Sequence, residues 1–208
     1  DDELKLWRHQ EDAISEFLKK RKGILEMATG TGKTTTALEI IKRLYESKKI
    51  DSAIVSTYGN SLLSQWEEEV YDWRASFATN KDSTCSNLRV YKDFGSNKEI
   101  QNYLSSIKKS ILIISRDSKK LQTLLSNNRI NRLKDRLLII HDEIHGFGSK
   151  TLVENLSGSH NGIKYRLGLS ATPEREYDEI GSEFLTNEIG PVIFQFPIES
   201  AIKKGILC

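Results

Sequence analysis

Short, almost unbroken apolar runs recur along this chain, with amphipathic stretches between them. The runs are Gly23-Ile24-Leu25, Ala53-Ile54-Val55, Leu88-Arg89-Val90-Tyr91, Ile111-Leu112-Ile113-Ile114, Leu137-Leu138-Ile139-Ile140, Tyr165-Arg166-Leu167-Gly168-Leu169 and Val192-Ile193-Phe194. Apolar positions three and four apart mark the segments between most of them as helices. These are Trp7 to Arg21 (Ile14, Phe17 and Leu18 on one face), Thr35 to Tyr45, Ser61 to Trp73, Asn97 to Ile107, Ser118 to Ser126 and Thr151 to Leu156. Strands that lack polar alternation are buried on both faces, which calls for a mostly parallel sheet with helices on both sides. The expectation is an α/β domain whose ligand site lies at the carboxyl ends of its strands. Ala75 to Asn87 and Ser157 to Lys164, rich in small polar residues, read as surface loops.

Chemistry enters where the first run meets the second helix, at Glu26-Met27-Ala28-Thr29-Gly30-Thr31-Gly32-Lys33-Thr34. Strand, glycine loop and helix in this order are the context of a phosphate-binding loop. Gly30 and Gly32 let the backbone curl and aim N–H groups at phosphate oxygens. The helix that follows adds the positive end of its dipole. Lys33 would reach the β- and γ-phosphates, and the Thr34 hydroxyl would ligate Mg²⁺. The general pattern asks for Gly where this chain has Met27. The nucleotide set read from the loop is Thr29, Gly30, Thr31, Gly32, Lys33, Thr34 and Thr35, with Arg8 and Gln10 near the start of the helix upstream of it.

A second signal closes the fifth run, at His141-Asp142-Glu143-Ile144-His145. An apolar strand that ends in two acids delivers carboxylates to the edge that carries the phosphate loop. Asp142 suits a magnesium ion, and Glu143 suits the orientation and deprotonation of an attacking water. Ser170-Ala171-Thr172 closes the next strand, where small hydroxyl residues can bridge neighbouring loops.

Bulk properties narrow the setting without adding a partner. At 208 residues the chain can bury a proper core without a disulfide or metal staple. The 29% charged and 38% apolar fractions are ordinary for a globular protein. A net charge of +2 leaves no global electrostatic footprint for nucleic acid, so any such contact must come from local placement. No apolar run has the length of a membrane span, so no membrane partner is expected. Cys85 and Cys208 are far apart, which makes a reducing, cytoplasmic setting the default, nucleoid-associated if the source is bacterial.

Gln10, Met27 to Thr34, Asp142 to His145 and Ser170 to Thr172 occur in the order seen in superfamily 2 helicases and translocases. Over nearly its whole length the chain resembles their first RecA-like domain, a P-loop NTPase fold. Asp142-Glu143-Ile144-His145 is similar to a DEAH-type second motif. The loop is similar to that of type III restriction motors and related repair helicases, a branch that commonly lacks Gly at the place of Met27. The resemblance implies ATP and Mg²⁺ as cofactors, with Lys33, Asp142 and Glu143 as the hydrolytic set. It implies that Gln10 reads adenine. Ser56, Thr57, Tyr58 and Ser115 would then face the nucleic-acid backbone, with His145, Ser170 and Thr172 coupling nucleotide state to the track.

Trp66 reads as core packing, and His9, His141 and His160 read as structural. Residues 1–196 form the ATP-binding domain in this reading, and 197–208 begin a linker to a second RecA-like domain that lies outside this sequence. The expected function is the ATP-binding half of a helicase or translocase, on DNA rather than RNA, slow or inactive by itself. The alternative is a nucleotide-gated clamp that holds nucleic acid without unwinding it. The oligomeric state is left open.

Overall fold

In a computed structural model, residues 6–79, 83–93, 95–171 and 179–207 are described. Seven strands form one sheet: β1 Lys22–Met27, β2 Ser52–Thr57, β3 Arg89–Lys92, β4 Ser110–Ser115, β5 Leu137–His141, β6 Tyr165–Ser170 and β7 Val192–Phe196. Their order is β3-β4-β2-β5-β6-β1-β7, and every neighbouring pair is parallel. The helices are α1 Arg8–Lys20, α2 Lys33–Glu46, α3 Asn60–Ala75, α4 Asn97–Ser105, α5 Ser118–Leu125, α6 Asn128–Asn131, α7 Lys150–Leu156, α8 Glu179–Glu188 and α9 Ile198–Lys203. The expected α/β sheet covered on both faces is the fold observed.

Strand alternation divides the core into two layers. Ile111 and Ile113 of β4, with Leu138 and Ile140 of β5, pack with Phe17 of α1, Ile40 of α2 and Val70 of α3. Leu112, Ile114, Leu137 and Ile139 point the other way, onto Tyr103 of α4, Leu121 of α5, Leu156 of α7 and Phe184 of α8. Every residue of β2, β5 and β6 is therefore buried whichever face it takes, and the runs read as continuously apolar for that reason, while the edge strands β3 and β7 are only partly covered.

Among the elements the sequence periodicity does not mark are α6, α8 and a short helix at Thr84–Asn87. Helix α8 buries Gly181, Phe184, Leu185 and Glu188. The helical stripe is present, but a glycine and a glutamate hold two of its four places. Residues 84–87, expected in a surface loop, instead form a short helix that packs inward: Cys85 is buried, and burial pushes its thiol up to about 12. The stretch read as a linker also packs on this domain. Ala201 of α9 is buried in the first layer, with Ile206 and Leu207 against it.

Strand β6 lies between β1 and β5, and Gly168 is the tight point of that middle position. A Cβ at Gly168 would sit 3.0 Å from Ile24, 3.2 Å from Ile144 and 3.3 Å from Ile189. Gly168→Ala should therefore lower stability by about 1–3 kcal/mol, since overpacking outweighs the gain in backbone entropy. A urea melt at unchanged m-value checks it.

Candidate nucleotide and nucleic-acid site

The phosphate loop connects β1 to α2, and its turn is left-handed at Gly30 (φ +79°) and Gly32 (φ +84°). Side chains rarely adopt such a backbone. Gly32 is the N-cap of α2, so the N–H groups of the first turn have no intrahelical partner and face outward as anion donors. Thr31 is buried and returns its hydroxyl to the Ala28 carbonyl at 2.5 Å, closing the loop on itself. The Lys33 ammonium donates to the Met27 carbonyl at 3.3 Å and keeps two of its three donors for other use. Thr34 and Thr35 are half-buried, and Thr29 and Arg8 are exposed.

Helix α1 braces this loop from below. Gln10 is buried; its amide nitrogen donates to the Gly32 carbonyl at 3.1 Å and its oxygen accepts from the Trp7 N–H at 2.9 Å. One donor and one acceptor of the amide remain, the pair an adenine edge needs. A Cβ at Gly32 would stand 2.3 Å from the Gln10 nitrogen, so the glycine is required for this contact as well as for the turn. His9, read as merely structural, donates from Nε2 to the Thr31 carbonyl at 2.8 Å and stacks on Phe196 of β7 with ring centroids 4.0 Å apart.

The acid pair lies at the end of β5, one strand removed from the loop. In register, Glu26 of β1 stands beside Ser170 of β6, and His141 of β5 stands beside Gly168 of β6. Two strand spacings, about 10 Å, separate β1 from β5, a gap that fits a triphosphate and its metal. Asp142 is held at four atoms. Its N–H donates to the Ser56 carbonyl at 2.9 Å, and its carbonyl accepts from the Arg116 guanidinium. Its Oδ1 accepts from the Glu143 N–H at 2.9 Å, and its Oδ2 accepts from the Trp66 indole N–H at 2.8 Å. Glu143 sits in the left-handed region at φ 49°, a strained place for a side chain, and its carbonyl accepts from Arg116 at 2.8 Å. Its carboxylate is 3.2 Å from the His145 Nδ1.

The residues read as nucleic-acid contacts separate into two kinds. Ser56 and Thr57 are fully buried, so their side chains do not reach the surface where contact was expected; their carbonyls instead hold Asp142 and Arg116. Full strand burial on both faces of β2 is the reason, and Tyr58, one residue on, is 72% exposed. Ser115 is half-buried and donates to Asp93 at 3.3 Å, a buried carboxylate that also pairs with Lys120. Ser170 is buried between the loop and the acids, and Thr172 lies outside the described residues. Sequence reasoning missed the indole of Trp66 and the brace at His9. The one signal for Trp66 was chemical: a buried indole N–H needs an acceptor.

Comparison with known proteins adds a family to this geometry. Residues 3–175 match the family described as type III restriction enzyme, res subunit. The chain is 29% identical over 208 residues to the DNA 3'-5' translocase XPB2 of Sulfurisphaera tokodaii, covering 99% of this chain and 39% of that protein. It therefore spans well under half the length of that relative. Among solved structures it is similar to the Sulfolobus solfataricus SWI2/SNF2 ATPase core in complex with dsDNA (TM-score 0.62, 20% identity, 97% of this chain and 40% of that one). It is also similar to the UvsW helicase of bacteriophage T4 (TM-score 0.63, 15% identity, 92% of this chain and 60% of that one). The fold is that of RecA-like helicase domains.

A buried chain of titratable groups stands behind the acids. His160 Nδ1 donates to Glu188 at 2.7 Å, so its Nε2 accepts from the His141 Nε2, 2.9 Å away. Glu188 also accepts from the backbone N–H groups of Gly158 and His160. Burial, with His160 and Arg116 nearby, holds the His141 imidazole well below its ordinary value. Burial likewise lowers His160, although Glu188 opposes it. For Glu188, burial alone would raise the carboxyl, but His160 and the backbone donors outweigh it and hold it below its usual value. All three bind protons more readily unfolded than folded. Stability is therefore present above about pH 6.5 and falls as the pH drops through the histidine range and then the carboxylate range. The urea midpoint should decrease between about pH 7.5 and about pH 5.5, and His141→Asn should narrow that difference.

Proposed function

This chain belongs to the family of the type III restriction enzyme res subunit, and from that premise we propose that it is the ATP-binding half of a DNA-directed helicase or translocase. The observation that carries the reading is the phosphate loop after β1 and the acid pair after β5, at one edge of the sheet with β6 between them. The left-handed turns at Gly30 and Gly32 and the outward N–H groups of α2 fit a triphosphate. Thr34 and Asp142 would hold Mg²⁺, which would neutralise charge on the phosphate oxygens. Lys33 would leave the Met27 carbonyl for the phosphates, and Glu143 would orient the attacking water. Arg8 and Gln10 border the place of the base, Gln10 with one donor and one acceptor to spare.

DNA as the track rests on the similarity to a DNA translocase, and Tyr58, exposed at the end of β2, is the side chain offered to it. His145, 3.2 Å from the Glu143 carboxylate, and Ser170, buried at the end of β6, would couple the track to the acids. A second RecA-like domain of the full-length protein would contribute arginines to the transferring phosphoryl, a contribution of about 10³–10⁵ in rate. This chain alone is therefore expected to bind nucleotide and hydrolyse it slowly.

The test is ATP hydrolysis by the full-length protein, alone and with single- and double-stranded DNA and RNA, with Lys33→Ala as the blank. Stimulation by DNA that Lys33→Ala abolishes is the expected outcome. Stimulation by RNA alone would move the track, and no stimulation by any polymer would overturn the motor reading.

A further inference from the structure

The Trp66 indole is one buried hydrogen-bond donor whose chemistry exceeds packing. Trp66 is 2% exposed on α3, within an apolar layer, and its Nε1 lies 2.8 Å from Asp142 Oδ2. An indole N–H is a neutral donor with no lone pair, so it can neither ligate a cation nor compete for one. A carboxylate offers about four lone-pair positions. Trp66 occupies one on Oδ2 and the Glu143 N–H one on Oδ1, which leaves one on each oxygen for a hydrated cation. The backbone of Asp142 is held separately, by Ser56 and Arg116, and among the described residues Trp66 is the one that donates to Oδ2, reaching it from α3.

We propose that Trp66 is a positioning residue for the metal carboxylate, fixing the rotation of Asp142 so that its free lone pairs meet the nucleotide's magnesium. This rests on the nucleotide-site reading above. An indole that merely fills space would serve as well without its N–H, and the two roles are separable.

The experiment titrates Mg²⁺ into this chain with a fluorescent, slowly hydrolysed ATP analogue, comparing it with Trp66→Phe, Asp142→Asn and the double variant. Trp66→Phe should raise the Mg²⁺ concentration required by about tenfold while metal-free nucleotide binding is unchanged. In the Asp142→Asn background the same substitution should add less than about twofold, because the carboxylate that Trp66 would orient for the metal is already gone. In the unsubstituted chain, the Trp66 indole N–H resonance should shift when Mg²⁺ joins the bound nucleotide, which requires no variant to fold. An unchanged Mg²⁺ requirement, an equal loss in both backgrounds, or a resonance that does not move would each overturn the proposal. If the unsubstituted chain binds no Mg²⁺–nucleotide, the nucleotide-site reading itself falls, a result distinct from all of these.

Discussion

The parallel register of β1, β6 and β5 is the constraint on which the rest depends. Parallel strands bring all their carboxyl ends to one edge, so a loop after β1 and acids after β5 face the same solvent cleft. Inserting β6 between them sets their separation, and its register puts Ser170 beside Glu26. An antiparallel β6 would present its other end at that edge and remove Ser170 from between the loop and the acids. The tight packing at Gly168 belongs to the same requirement: the middle strand must let Ile24 and Ile144 approach it from the second layer.

The two halves of the site are braced by different parts of the chain. The loop is held by α1, through Gln10 on Gly32 and His9 on Thr31, and His9 in turn rests on Phe196 of β7. The acids are held by α3 through Trp66, by β2 through Ser56, and by the end of β4 through Arg116. These are buried or half-buried polar contacts, where a lost partner leaves a desolvated group that costs about 1–3 kcal/mol. Such contacts fix geometry more firmly than the apolar layers beneath them, which tolerate volume-conserving exchange. The cleft is therefore bounded by two separately anchored walls.

Much of this was legible in the sequence because burial on both faces writes an unmistakable pattern. Apolar runs gave the seven strands, and the spacing of Gly30, Gly32, Lys33 and Thr34 gave the loop. What escaped was whatever depends on a partner distant in the chain. Helix α8 was missed because Glu188, which belongs to its buried stripe, is polar and is satisfied by His160 and Gly158. Residues 84–87 look like a loop by composition, yet Cys85 is buried against α2 and α3. Ser56 and Thr57 looked like surface hydroxyls at a strand end because sequence spacing cannot tell where the sheet stops and solvent begins.

That last correction changes how the outer surface can reach the acids. With the side chains of Ser56 and Thr57 buried, β2 meets Asp142 and Arg116 through its backbone: the Ser56 carbonyl accepts from the Asp142 N–H and the Thr57 carbonyl from the Arg116 N–H. Arg116 then donates to the carbonyls of Asp142 and Glu143, closing a ring of hydrogen bonds around the acid pair. Tyr58 stands immediately outside this ring, and α3 begins at Asn60 and carries Trp66 back to Asp142. From Asn60 to Trp66 is about 9 Å of continuous helix, which moves as a unit. Tyr58 is therefore connected to Asp142 twice, along β2 to its backbone N–H and along α3 to its carboxylate through the buried Trp66 indole.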